Sequence, residues 1–361
     1  MQEPIHGLSF EQLESACRQL GQPSWRAAQI WDWLYVKQIN GWDDMRNLPR
    51  ALRGQLADRF LFTAVQPEQQ TEETEPGAAT NKIGSILADG EIIETVLIPA
   101  SGKSGISRQT VCVSSQAGCK FHCAFCASGQ LGFARNLSTA EIVEQVLIFA
   151  RRLETPPTHV VFMGIGEPLD NYDNVLAAIR IINHPDGLRI GARRITISTC
   201  GIIPGIQRLA REGLQTELSV SLHAPDDDLR SKLMPVNQRY SLTPLLAACR
   251  DYADHTGRII TFEYTLIDKL NSAPEQARTL TKLLRGCHCR VNLLPLSPVI
   301  EFAGQPPPTA VIKEFIRILE QAGINATLRA SRGVGINAAC GQLRFTRAGQ
   351  REKPCETVRT T

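Results

Sequence analysis

Apolar and polar positions alternate in two different rhythms along this chain, and the change of rhythm divides it. Residues 10–20, 26–37 and 43–60 carry apolar residues at helical spacing, the last stretch interrupted at Pro49, and predict three helices. Residues 63–80 (TAVQPEQQTEETEPGAAT) are poor in large apolar side chains and rich in Gln, Glu and Pro, which predicts a linker or exposed excursion. Residues 83–87 and 91–98 then read as a strand pair joined by the Asp89-Gly90 turn. A strand at 109–114 follows. Beyond it, apolar runs at 158–163, 194–199, 216–222, 259–267, 290–296 and 325–329 predict strands. Between them lie helix patterns at 138–153, 172–183, 203–212, 227–234, 243–255, 273–285 and 309–321, the first opened by a Ser138-x-x-Glu141 capping box.

Strands alternating with helices imply a parallel sheet covered by helices. A closed barrel needs eight such units. About six are present, so the fold class is α/β, a partial (β/α)6 barrel preceded by a small helical domain. The domain reading is 1–62 helical and accessory, 63–80 linker, 81–107 hairpin extension, 108–335 catalytic core, and 336–361 a C-terminal segment. All four tryptophans (Trp25, Trp31, Trp33, Trp42) fall in the first domain and predict a miniature core there.

Composition changes this picture little. A formal charge of +3 over 361 residues neither requires nor excludes a nucleic-acid partner. The tail is more basic, with Arg344, Arg347, Arg351, Lys353 and Arg359 against Glu352 and Glu356, enough to touch phosphates. No apolar run reaches the roughly 18 residues of a membrane span, and the N-terminal MQEPIHGLSFEQ has no signal-peptide pattern. A cytoplasmic location follows, where the eleven cysteines point to metal or catalysis rather than a disulfide framework.

The chemistry concentrates in Cys119-x-x-x-Cys123-x-x-Cys126. Three thiolates leave one iron of a [4Fe–4S] cube without a protein ligand, and an open metal position is where chemistry happens. The competing reading is structural zinc, with His122 or the Cys287-His288-Cys289 pair completing the site. Downstream, the 158–163 strand runs into Gly164-Ile165-Gly166-Glu167-Pro168, the next ends in Ser198-Thr199-Cys200-Gly201, and the next in Ser221-Leu222-His223-Ala224-Pro225. Glycines permit close backbone approach to a ligand, and a carboxylate there can hold an ammonium group.

These motifs together resemble the RlmN/Cfr family of radical S-adenosylmethionine (SAM) RNA methyltransferases, and its RlmN branch more closely. The resemblance extends from about residue 8 to 345. It includes Ile93-Glu94-Thr95-Val96-Leu97-Ile98-Pro99, Cys112-Val113-Ser114-Ser115-Gln116, Arg135-Asn136-Leu137 and Ala338-Ala339-Cys340-Gly341-Gln342-Leu343. It implies a [4Fe–4S] cluster on Cys119, Cys123 and Cys126, and SAM held by Gly166, Glu167, Ser198, Ser221, Leu222, His223 and Ser297. It implies Cys340 as a methyl carrier, Cys112 as the thiolate that releases product through a transient disulfide, and Glu94 as general base. The implied substrates are 23S ribosomal RNA and tRNA, methylated at adenine carbon 2, or at carbon 8 as in the Cfr branch. The implied partners are an electron donor such as flavodoxin and no membrane, with the chain acting as a monomer. Three departures bear on substrate choice: Ser297 stands where the family usually has Asn, Gly333-Val334-Gly335-Ile336-Asn337 replaces an approach containing Asp-Ile, and the loop between Pro99 and Arg108 is longer than usual.

Overall fold

The computed structural model describes residues 2–75, 78–101, 107–153, 156–329 and 331–344. The chain begins with β1 (Glu3–Pro4), α1 (Phe10–Gln19), α2 (Trp25–Trp31), α3 (Arg50–Arg59) and β2 (Phe60–Leu61), which pairs with β1. It continues through β3 (Val65–Glu75), β4 (Ala78–Leu87), β5 (Ile92–Ser101), β6 (Ser107–Cys112), β7 (Gln116–Gly118), α4 (Ala127–Gln130), β8 (Phe133–Asn136) and α5 (Thr139–Ala150). The second half alternates: β9 (His159–Phe162), α6 (Tyr172–Asn183), β10 (Ile195–Thr199), α7 (Ile203–Leu209), β11 (Glu217–Ser221), α8 (Asp227–Leu233) and α9 (Leu242–Thr256). It ends with β12 (Ile260–Leu266), α10 (Pro274–Leu283), β13 (Cys289–Pro295), α11 (Thr309–Gln321) and β14 (Asn325–Leu328).

One ten-stranded sheet in the order β14-β13-β12-β11-β10-β9-β6-β5-β4-β3 organises the molecule. From β6 through β14 neighbouring strands are parallel, joined by the six crossovers α5, α6, α7, α8 with α9, α10 and α11. This is the open, partial barrel expected from the alternation, extended at one edge by antiparallel β3, β4 and β5. Strand pleating sorts the side chains. On β12, Phe262 and Tyr264 join the apolar layer beneath the helices, Tyr264 lying 5.4 Å from Phe315 of α11. The alternate residues Thr261, Glu263 and Thr265 line the concave face.

Two expectations need correction. Residues 65–75 form a strand, paired with β4 from Val65↔Leu87 to Glu75↔Ala78, rather than a linker. The pattern misleads because β3 is the sheet edge, where Gln and Glu side chains stay in water and discourage edge-to-edge association. A bulge at Glu68, directly after Pro67, shifts the register between Pro67↔Ser85 and Gln69↔Gly84. The helical domain, in turn, is not cored by itself. Its buried residues are continuous with those of the barrel. His6 and Glu144 of α5, both fully buried, pair at 3.1 Å, and the Glu144 carboxylate also accepts the Ala64 and Val65 N–H groups. Trp31 is buried against Tyr35 and Phe10, but Trp25 is 54% exposed beneath the Arg26 guanidinium. Three short helices bury too little surface to stand alone, so they share a core with α5.

Candidate active site

The three spaced cysteines lie on a loop closed at its base. Antiparallel β7 and β8 bring its ends together, and the Cys119 N–H donates to the Gly132 carbonyl at 2.7 Å. Gly118 (φ +78°) is obligatory, since a Cβ there would sit 2.1 Å from that carbonyl oxygen. The Cys126 N–H donates to the Cys123 carbonyl and the Ala124 N–H to the Leu233 carbonyl, anchoring the loop on α8. Burial raises the Cys119 thiol to about 12 and Cys123 well above its usual range, and the neighbouring thiols add to both. Such thiols ionise only beside a cation, which an iron–sulfur cluster supplies, and an all-thiolate donor set on one loop fits that group. The zinc reading loses its distant ligands. Cys287 and Cys289 lie at the opposite, starting end of β13, and His122 Nδ1 is engaged with the Gly129 carbonyl at 2.9 Å, leaving only Nε2 free to ligate. Among the described residues no three His, Cys, Asp or Glu side chains converge as a single-ion site.

The C-terminal segment returns to this loop. The Ala127 N–H donates to the Gly341 carbonyl at 2.7 Å, Ser128 Oγ donates to the Leu343 carbonyl at 2.6 Å, and Gln342 Nε2 donates to the Pro298 carbonyl at 2.9 Å. Gly341 (φ +82°) lies so close that a Cβ would stand 3.1 Å from the Phe125 carbonyl and 3.8 Å from Cys126 Cα. Cys340 is thereby held beside the cysteine loop. The residue is partly open to solvent, while burial of the thiol raises its pKa; Arg329 opposes that rise, and Glu263 and Cys126 add to it. Cys112, at the end of β6, is buried and raised to about 12, first by burial and then by Cys340. The two remote cysteines therefore lie within each other's electrostatic field. Both are free thiols, so the expected disulfide is absent among the described residues.

Glu94, whose face the local alternation leaves open, is buried on β5. Its Oε1 accepts from Lys82 Nζ at 2.6 Å, with both side chains about 8% exposed, and its Oε2 accepts the Arg344 N–H at 2.6 Å. It thus clamps the far side of the Cys340 segment.

The expected SAM residues gather at the strand ends. Gly164 and Gly166 are required by the packing of the chain itself. A Cβ on Gly164 would stand 2.7 Å from the Val113 carbonyl oxygen, and one on Gly166 (φ +100°) 2.5 Å from Gln116 Cβ. Glu167 is buried, which raises its pKa, while its oxygens accept the Cys200 N–H at 2.7 Å and the Leu169 N–H at 3.0 Å. The Cys200 and Thr199 side chains hydrogen-bond to the same carboxylate. Ser198 and Ser221 are half-buried on the concave face, and the Leu222 and His223 N–H groups donate to the Glu263 carbonyl. His223 (φ +55°) accepts the Thr265 N–H at Nδ1, which leaves the imidazole proton on Nε2. Burial and Arg230 hold its pKa down at about 3. Ser297 is buried and spends its hydroxyl on Ser331 Oγ at 3.3 Å, so the shorter side chain finds a partner in its own chain.

Sequence reasoning missed two residues here. Arg230 is fully buried and donates to the carbonyls of Cys200, Ser221, Leu222 and Tyr240 and to Asn237 Oδ1, tying the ends of β10 and β11 together. In the sequence it reads as an ordinary surface arginine of an amphipathic helix. Glu263 is buried beside Ser221 in the strand register; Oε1 accepts from Ser219 and Asn292, while Oε2 is buried without a hydrogen-bond partner. An orphaned carboxylate oxygen on the concave face suits a ligand hydroxyl or amine. An acidic residue inside the otherwise apolar 259–267 run was the available signal. The Cys355 and Arg347–Arg359 tail, and most of the loop between Pro99 and Arg108, lie outside the described residues.

Comparison with known proteins agrees with this geometry. The radical SAM superfamily profile matches residues 113–280, and that of the ribosomal RNA large subunit methyltransferase N-terminal domain matches residues 4–61. The chain is 45% identical over 346 residues to a probable dual-specificity RNA methyltransferase RlmN of Symbiobacterium thermophilum, covering 95% of this chain and 91% of that one. A probable dual-specificity RNA methyltransferase RlmN of Moorella thermoacetica is also 45% identical, over 347 residues, covering 94% of this chain and 97% of the relative. The crystal structure of a radical SAM methyltransferase from Sphaerobacter thermophilus superposes with a TM-score of 0.90 at 45% identity, covering 95% of this chain and 99% of that chain. A cysteine loop at the mouth of a partial barrel, an N-terminal module of the matching type and relatives aligned end to end lead to one assignment: the chain belongs to the RlmN family of radical SAM RNA methyltransferases.

Proposed function

We propose that the protein methylates carbon 2 of an adenosine in 23S ribosomal RNA and in tRNA, with Cys340 as methyl carrier. Family membership brings a [4Fe–4S] cluster and SAM as cofactors. Together these supply, when bound, an electrophilic methyl group and a 5′-deoxyadenosyl radical that accepts a hydrogen atom. Everything else falls to the chain. Adenine carbon 2 is electron-poor and carries no acidic proton, so direct attack on an electrophilic methyl is unsuited to it. Covalent catalysis divides the problem. The Cys340 sulfur first takes the methyl group, and loss of one hydrogen turns that group into a methylene radical that adds to carbon 2. In this reading Glu94 then removes the carbon 2 proton from the protein–RNA adduct radical, and the unpaired electron returns to the one-electron carrier that supplied it. The Cys112 thiolate attacks the Cys340 sulfur, the Cys340 sulfur–methylene bond breaks, a disulfide forms and a proton completes the new methyl group. External reduction returns both thiols.

The observation that carries the reading is the seat of Cys340: the carbonyl of the next residue is bonded to the Ala127 N–H, beside Cys126 and within the field of Cys112. The Lys82–Glu94 ion pair supports a carboxylate kept ionised for proton removal. The test is mass analysis of nuclease-digested RNA after incubation with reconstituted enzyme, SAM and a reductant. The expected product is 2-methyladenosine. Recovery of 8-methyladenosine would overturn the carbon 2 assignment, and unmodified RNA from enzyme that binds iron and cleaves SAM would overturn the substrate.

A further inference from the structure

The near-neutral charge of the chain conceals a strongly basic rim at the end of the barrel opposite the cysteine loop. Arg108 enters β6, Arg193 and Arg194 enter β10, Arg258 enters β12, and Arg290 lies at the start of β13. Pleating turns Arg108 and Arg290 to the same concave side as Thr110 and Asn292, while Arg193 and Arg194 lie in the 3-10 turn that leads into β10. Among the described residues at these strand starts one carboxylate, Glu217, is bridged by Arg258 and by Arg290, the latter at 3.2 Å. Five arginines against that one described glutamate give a surplus of four positive charges, more than the +3 of the whole chain. Arg108, Arg193 and Arg194 are exposed and have no carboxylate partner among the described residues. The Arg258 Nε is buried without a hydrogen-bond partner. The guanidiniums also disfavour one another. After burial itself, Arg193 and Arg290 are what lower Arg258, and Arg108 and Arg194 help hold His159 at about 4. Cations gathered at mutual cost, in forks that match phosphate geometry, mark a surface made for an anion.

The rim is open and spread across four strand starts, which suits an extended polyanion better than an enclosed small one. It also adjoins the N-terminal helices. Phe10 and Trp31 pack on His184 at 5.5 and 4.8 Å, in the segment between α6 and β10 that leads to Arg193 and Arg194. We infer that the starting end of the barrel is a second RNA contact, at which Arg193, Arg194 and their neighbours hold the phosphodiester backbone of the substrate away from the reacting adenosine. The inference rests on RNA being the substrate. Its consequence is a preference for folded RNA long enough to reach from the cysteine loop around to the rim, independent of base sequence at the rim.

The experiment compares wild type with the double variant Arg193→Gln, Arg194→Gln. Binding is measured across a salt series for two RNAs: a transcript of the peptidyl-transferase region of 23S ribosomal RNA, and the minimal stem-loop containing the target adenosine. Each lost phosphate contact lowers the slope of log affinity against log salt by about 0.7–0.9. The long transcript should therefore lose about 1.5 from its slope and roughly tenfold in affinity at low salt, while the stem-loop and SAM affinity are unchanged. An unchanged slope and affinity for the long transcript would overturn the inference. So would an equal loss on the stem-loop, which would place the arginines beside the reacting base. A thermal shift with sodium tripolyphosphate that disappears in the variant, with the RNA slope intact, would assign the rim to small oligophosphates instead. Wild-type protein that binds neither RNA would refute the proposed substrate rather than this surface.

Discussion

Removing Lys82 should both destabilise the protein and loosen the segment that carries Cys340. Lys82 and Glu94 face each other across β4 and β5 at 2.6 Å with almost no solvent, and Glu94 also receives the Arg344 N–H. Lys82→Met removes the ammonium partner of a buried carboxylate and keeps the Arg344 N–H contact. Breaking a buried pair from one side costs about 3–5 kcal/mol, and the surviving Arg344 contact argues for the lower end, about 3 kcal/mol. Glu94→Leu leaves the ammonium with only the Asn337 carbonyl at 3.5 Å, and a similar loss is expected. The double variant removes both charges together and should lose far less than the sum, a coupling of about 2 kcal/mol or more. Guanidinium unfolding of the four proteins measures the cycle, and limited proteolysis within residues 337–344 should be faster in either single variant. Single variants within about 0.5 kcal/mol of wild type, or losses that simply add, would refute the reasoning.

Two further outcomes follow from the strand ends. Gly166→Ala places a Cβ 2.5 Å from Gln116 at φ +100°; backbone strain of about 1–3 kcal/mol, with displacement of the Gln116 side chain that holds the Glu167 N–H, should weaken SAM binding in equilibrium dialysis, and unchanged affinity would show that the turn tolerates a side chain. His223 has a folded pKa near 3 against about 6.5 when unfolded. The unfolded state therefore binds more protons between these values, so its stabilisation is complete above pH 6.5 and falls by a few kcal/mol as the pH drops toward 3; His223→Gln should flatten that part of the stability–pH curve, and an unchanged slope would assign it to other groups.

The parallel half of the fold was legible because each buried strand is a short apolar run and each helix carries its own period, as in Val160–Phe162 before Tyr172–Ile182. The cysteine loop was legible because metal-ligand spacing is local. Polar edge strand β3 was not, since an exposed edge lacks the apolar alternation that marks a strand. Nor was the shared core of the helical module: the His6–Glu144 pair joins residues far apart in the chain, and only packing brings them together. The glycines of 164–166 were legible as special positions, but their close packing on the 113–116 segment was not, because it joins separate stretches of the chain. Arg230 and the basic rim were invisible for a common cause. Single arginines look like surface residues until the topology sets strand starts side by side.

Purification of a Cys112→Ala variant tests the central proposal, Cys340 as methyl carrier resolved by Cys112. With the carrier intact and the releasing thiol gone, the variant expressed in cells should retain a covalent RNA adduct. Nuclease should trim it, and peptide mass analysis should map it to Cys340, while Cys340→Ala should carry no adduct and incorporate no methyl group. A Cys112→Ala enzyme that turns over at the wild-type rate and carries no RNA would contradict the account.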